Sequence, residues 1–357
     1  MIIGILTLPF HTNYGGIMQA YALQKVLERM GHHSYVLNIY YWGNKKHSLL
    51  LLYLLKKYFS LRCFFSGKYR ERRKINHFVS NKIKQKSYYT FSDISEKDFD
   101  TIIVGSDQIW REIFIPHIEN VFLDFTTGWN IRRVSYATSF GTDIWSYSKD
   151  QTRNCSFLLS KFDAVSVREL SAVKLINENM GIKAELVLDP TLLLLAEDYC
   201  KMLKLHRNDN EGYMLSYILN ETEQANLISK AISEEKKLDN HCLYPERHYV
   251  KTLPSIEEWL QALFNSDFVF TDSFHVSVFS IIFRKPFLFL KNEIAGNTRI
   301  ESLFSVLGLQ NHIISESSDI VSAVELSKLI ESIDGSVETN LNELRNYSMN
   351  YLKKSLK

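Results

Sequence analysis

The chain opens on a continuous apolar run, IIGILTL, and then alternates between such runs and segments whose apolar residues recur every three or four positions. An unbroken run of that length suits a central strand of a parallel sheet, buried on both faces. In IMQAYALQKVLERMG the residues Ile17, Ala20, Leu23, Leu27 and Met30 share one helical face, and Gly31 is placed to end the helix. SYVLNIYY predicts a second strand. FDTIIVGSDQIW, RRVSYATSFG and KFDAVSVREL each read as a strand breaking into a polar loop, and AELVLDPT as the last strand of this half. A second alternation starts near Gly212. Its strands are YMLSYIL, HCLY, DFVFTDS and PFLFL, and its helices TEQANLISKAISEEKK, IEEWLQALFNS and FHVSVFSIIFRK. Two successive runs of this kind imply an α/β chain with two parallel sheets, each covered by helices. The expected division is an N-terminal domain over 1–192 with a basic helical insertion at about 45–90, a C-terminal domain over 193–345, and a helical tail over 346–357.

Composition leaves this picture intact. At 357 residues the chain is long for one core, and its 45% hydrophobic and 23% charged content is that of a soluble globular protein. The four cysteines form no CxxC pair, so neither a zinc knuckle nor a disulfide framework is expected, and a reducing compartment is. MIIGILTLPF reads as a buried strand rather than a secretory leader, and no apolar run reaches the length of a membrane span. Charge is unevenly placed. Lys45–Lys86 carries 13 Lys and Arg against Glu71 alone, net +12 in a chain of net +2, so the remainder is at −10. With the apolar Ser48–Leu55 inside it, this block suits a peripheral contact with anionic lipid; the plainer reading is a helical insertion with a solvated basic face. No nucleic-acid motif accompanies it.

Ligands of such sheets bind beyond the carboxyl ends of the strands, and five polar segments fall there. HTNYGG pairs glycines that admit a ligand close to backbone N–H groups with a helix start that favours an anion. It lacks the spacing of a dinucleotide fingerprint and the GK[ST] of a P-loop. Asn13, Gly15 and Gly16 are its candidates, with helix capping as the plainer role of Asn13. VGSDQIW ends a strand in Ser106, Asp107 and Gln108, which either face a cleft or cap a helix. Arg168 in SVREL could pair with carboxylate or phosphate, or form a structural ion pair with Glu169 or Asp143. VFTDSFH places Asp272 and Ser273 at a strand end and His275 in the first turn of the next helix, where imidazole can act as a general acid. Asn297 and Arg299, with Lys291, follow PFLFL and could reach the same cleft.

Taken together and in order, NYGGIMQAYALQ, VGSDQIW, SYATSFG, VSVRE, DPT, TDSFH with KPF, and NTR resemble the polysaccharide pyruvyl transferase family, from the first strand to about Gln310. The resemblance implies a GT-B-like fold, two Rossmann-like domains facing across a cleft. It also implies transfer of a pyruvyl group from phosphoenolpyruvate to two hydroxyls of a sugar, in a bacterial surface polysaccharide or its lipid-linked precursor. No metal or other cofactor is implied. His275 maps to the family's TDSFH histidine, as general acid or phosphate contact; Arg168 and Arg299 become candidates for the anionic groups, and Asn13, Gly15 and Gly16 for the acceptor side. The expected location is the cytoplasm, with the 45–86 segment touching the inner membrane face. Many members have arginine where Ser273 stands and glycine where Val276 stands. Two other readings remain open at this point. One is a nucleotide-sugar glycosyltransferase, for which Glu293 and Glu301 have a fitting spacing; the other is a glycan-binding homologue without turnover.

Overall fold

A computed structural model of the chain describes residues 1–42, 67–207, 212–243, 253–291 and 297–357. The first sheet is built from β1 (Ile2–Leu6), β2 (His33–Ile39), β3 (Gln85–Tyr88), β4 (Thr101–Val104) and β5 (Arg132–Ser135), all parallel, in the order β3-β2-β1-β4-β5. The apolar opening run is central, as its composition requires, and its carboxyl end feeds α1 (Tyr14–Arg29). That helix ends at Met30, with Gly31 at φ +83 taking the left-handed position. Beyond β5 lie α3 (Lys149–Leu159), β6 (Ser166–Val167), α4 (Leu170–Met180) and β7 (Glu185–Leu186). The last two strands are only two residues long, and the bridge Thr138–Val167 carries β6 alongside the end of β5.

The second sheet follows α5 (Ala196–Leu203). It comprises β8 (Tyr213–Tyr217), β9 (Asp239–Cys242), β10 (Phe268–Thr271), β11 (Phe287–Lys291) and β12 (Ile313–Ser315), again parallel, in the order β12-β11-β10-β8-β9. Its helices are α6 (Glu223–Lys236), α7 (Ile256–Asn265), α8 (Phe274–Ile282), α9 (Thr298–Leu307), α10 (Ile320–Leu329) and α11 (Gly335–Ser355). Every residue of α8 is buried. A helix apolar all round belongs between layers rather than on a surface. It joins one apolar cluster that also holds Ile3 and Ile5 of β1, Leu23 of α1 and Trp259 of α7, so the two halves share a core.

Two expectations need correction. The insertion is not helical to its end: α2 (Gly67–Lys82) leads into β3, which pairs with β2 because Gln85–Tyr88 continues the sheet edge. In this part Lys74, Lys84 and Lys86 are paired with Glu258, Glu28 and Asp98 at 2.6–2.7 Å, and the apolar Ser48–Leu55 lies outside the described residues. Nor is 346–357 a separate tail. α11 is one helix that crosses back to the first half, where Ser348 Oγ accepts from Leu188 N and Tyr351 donates to Ser135 O. Among the described residues no helix is long and apolar enough to cross a membrane.

Candidate functional site

The amino ends of α1 and α8 meet where the carboxyl ends of the two sheets face each other. Asn13 caps α1, its Oδ1 accepting from Gly16 N at 3.0 Å. A methyl group on Gly15 would come within 1.9 Å of His275 Nδ1, and one on Gly16 within 2.8 Å of Asp107 Oδ2. Both glycines are therefore required by close approach: the first half's backbone lies directly against the imidazole of the second. The contact is reinforced by Tyr14, which stacks on Trp259 at 5.2 Å and donates to Pro254 O at 2.7 Å.

Behind the imidazole is a buried polar layer. Asp189 Oδ2 accepts from Arg168 Nη1 at 2.6 Å and Ser106 Oγ at 2.8 Å, and His275 Nε2 stands 3.7 Å from the same oxygen. Its Oδ1 accepts from the backbone and hydroxyl of Thr191. Burial alone would raise the Asp189 pKa. The facing His275 imidazole and the Arg168 guanidinium outweigh it and hold the carboxyl well below its usual range. Arg168 is also approached by Asp107 at 3.8 Å and Glu169 at 3.9 Å. Glu169 in turn accepts from Phe140 N and Gly141 N, which fixes the SYATSFG loop. Asp107 adopts φ +143, a conformation that L-residues rarely take and that costs on the order of 1–3 kcal/mol; its carbonyl is held by Ser139 N at 3.0 Å.

In front lies a cavity of about 340 Å³, lined from both halves. Asn13, Gly15 and Gln108 come from the first sheet's side; Asp272, Ser273, His275, Asn297 and Arg299 come from the second. Arg299 has no carboxylate within ion-pair reach among the described residues, and its Nε is buried without a partner. Burial, then the charge of Arg168, pushes its pKa down to about 10, which leaves it a cation at neutral pH. Both arginines approach the ring of Phe274, with Arg168 Cζ 5.0 Å and Arg299 Cζ 5.4 Å from its centre. Asp272 serves the scaffold as well as the wall: its oxygens accept from Leu219 N at 2.7 Å and Asn220 N at 2.9 Å, joining the ends of β10 and β8. Burial nonetheless raises its pKa.

The structure thus brings eight of the sequence candidates to one cavity and sets four behind it. Gly16, Ser106, Asp107 and Arg168 pack in the buried layer rather than on the wall. For Arg168 the ion pair anticipated with Glu169 or Asp143 forms chiefly with Asp189. Asn13 both caps its helix and lines the cavity. Val276, one position after His275 on the helix, is rotated into the core and absent from the wall, so its bulk does not narrow the cavity. Glu301 is held by Lys291 at 2.6 Å, and Glu293 lies outside the described residues. Sequence reasoning gave no role to Asp189, Phe274, Tyr14 or Trp259. Asp189 carried the available signal, a carboxylate at a strand end in DPT.

Two parallel α/β halves facing across a polar cleft define a GT-B-like protein. Solved structures agree. The UDP-GlcNAc 2-epimerase of Neisseria meningitidis matches at TM-score 0.53 and 11% identity, over 99% of this chain and all of its own. That of Methanocaldococcus jannaschii matches at 0.51 and 13%, over 97% of this chain and all of its own. At these identities the likeness is one of fold. The model of the polysaccharide pyruvyl transferase family matches residues 13–293, from the Asn13 cap to just past β11, and the chain belongs to that family. No curated protein matches the chain in sequence.

Proposed function

We propose that the chain moves a pyruvyl group from phosphoenolpyruvate to two hydroxyls of one sugar in a bacterial surface polysaccharide or its lipid-linked precursor. The observation that carries this reading is Arg299: a cation without a carboxylate partner among the described residues, on the wall of a cavity that also presents His275 at a helix start. Such a site favours a small polyanion, and phosphoenolpyruvate brings a phosphate and a carboxylate. Transfer begins when His275 gives a proton to the methylene carbon, whose π electrons form the new C–H bond and leave an oxocarbenium-like centre. One acceptor hydroxyl bonds to that centre and its proton restores His275. The second hydroxyl then replaces phosphate, whose C–O bond breaks and whose oxygen keeps the electron pair and takes up that hydroxyl's proton. The products are a pyruvate ketal and inorganic phosphate, and the chemistry calls for no metal or nicotinamide. Asn13 and Gly15, on the first half's part of the cavity wall, suit the acceptor side.

The reading extends to location. An acceptor built on a lipid carrier would bring the protein to the inner membrane face, and the basic Lys45–Lys86 block suits attraction to anionic lipid there.

The test is phosphate release from phosphoenolpyruvate with candidate acceptor glycans, with the mass of the acceptor read for the added pyruvyl group. Release is expected from the wild type and, for His275→Ala, a loss on the order of 100-fold or more. Turnover of a UDP-sugar in place of phosphoenolpyruvate would overturn the proposal, and near-normal turnover by His275→Ala would remove imidazole from the chemistry.

A further inference from the structure

The four donors around Asp189 raise a question that the proton transfer alone does not answer: which nitrogen of His275 works. Nε2 is buried, makes no hydrogen bond at normal length among the described residues, and faces Asp189 Oδ2 at 3.7 Å. Nδ1 lies against Gly15, and both residues line the cavity. Resting on the functional reading above, we propose that Asp189 is a positioning residue that keeps a proton on Nε2 of His275, so that the proton exchanged with substrate is the one on Nδ1.

The surroundings leave the carboxylate no other orientation. Arg168 Nη1 and Ser106 Oγ donate to Oδ2, while Thr191 donates twice to Oδ1. Both oxygens must therefore accept, and the group is locked with Oδ2 toward the ring. The other ionisable groups facing this point are Arg168, Asp107 and Glu169 from the first half, with Arg299 at the ring of Phe274; Tyr136 and Tyr199 flank the carboxylate and donate to Leu188 O and Thr191 O. None of these puts a second acceptor on Nε2. A carboxylate that fixes the tautomer of a working imidazole is a general device of acid–base sites. Here the device would be assembled across the domain boundary, with the carboxylate just beyond β7 and the ring on α8.

An amide at 189 cannot satisfy the same donors. If its oxygen stays at the Oδ1 position, its NH₂ points at Arg168 and at Nε2, and the ring must turn acceptor there. If it reverses, the NH₂ meets the N–H of Thr191. Asp189→Asn should therefore change the tautomer as well as weaken the fold.

The experiment uses the full chain labelled with 15N-histidine, His275 assigned by its loss in His275→Gln, at a pH raised until the ring shifts stop moving. In the wild type the neutral ring should carry its proton on Nε2, and Asp189→Asn should shift the proton toward Nδ1. With phosphoenolpyruvate and acceptor, Asp189→Asn should lower kcat on the order of 100-fold and leave KM for phosphoenolpyruvate within about threefold of the wild type. A wild-type ring protonated on Nδ1 would overturn the proposal, as would a folded Asp189→Asn with unchanged tautomer. The wild-type measurement needs neither a donor nor a stable variant. It decides the role of Asp189 even if phosphoenolpyruvate proves to be the wrong donor, which the absence of phosphate release would show separately.

Discussion

Two arginines that a sequence cannot tell apart meet at the ring of Phe274. Arg168 is buried and surrounded by Asp189, Asp107 and Glu169. Arg299 lines the cavity and has no carboxylate within ion-pair distance among the described residues, only the more distant charges of Glu169 and Asp107. The difference is one of neighbours. A buried cation whose charge is already answered is part of the scaffold, and one left unanswered at a cavity wall is complementary to an anion that is yet to arrive.

The comparison breaks most easily through stability. Arg168→Met leaves three buried carboxylates without their cation and should cost about 3–5 kcal/mol in urea unfolding. The pH dependence should change with it. The wild-type Asp189 pKa is depressed by folding, so its contribution is present above the ordinary aspartate value of about 3.9 and is lost as pH falls below it; in Arg168→Met that acid slope should flatten. Arg299→Met should cost little stability. It should instead weaken phosphoenolpyruvate binding by about tenfold to a hundredfold, read by calorimetry. Equal destabilisation by the two variants would erase the distinction between them.

Gly15→Ala sharpens the boundary between the buried layer and the cavity. The added methyl meets the imidazole at 1.9 Å, so the ring or the helix must shift, at about 1–3 kcal/mol of stability and with turnover reduced on the order of 100-fold. A fully active Gly15→Ala would mean that the ring is not held where it works.

The smallest effect concerns a third cation, Lys285, which is buried away from the site and pushed down to about 8 by burial. Its folded pKa is below the unfolded value of about 10.4, so the fold disfavours its charged form, and that cost fades as pH rises between the two values. Lys285→Met should therefore raise the melting temperature at neutral pH and lose the advantage near pH 10. No gain at pH 7 would show that burial without a partner is not the cost assumed here for an unanswered cation.

Much of this arrangement could be read from the chain. Apolar runs and helical periodicity located the long elements, because a central parallel strand such as β1 must be apolar on both faces and a surface helix such as α6 must carry a stripe. Polar residues at strand ends located the wall of the cleft. β6 and β7 were legible only as longer strands, since two paired residues leave no periodicity. The helix α11 runs through the expected boundary at 345 because its second half packs on the first domain, a contact no local pattern encodes. The buried layer was hidden for the same reason. Asp189 meets Arg168, Ser106 and His275 across 21, 83 and 86 residues of chain, and only the fold decides that a carboxylate in DPT turns inward while Asp272 stays at the wall.

The most direct measurement is the melting temperature of the wild type with phosphoenolpyruvate and, in parallel, with UDP-GlcNAc. A cavity built around an unanswered Arg299 predicts a rise with phosphoenolpyruvate that disappears in Arg299→Met, and none with the nucleotide sugar. A rise with UDP-GlcNAc and none with phosphoenolpyruvate would contradict it.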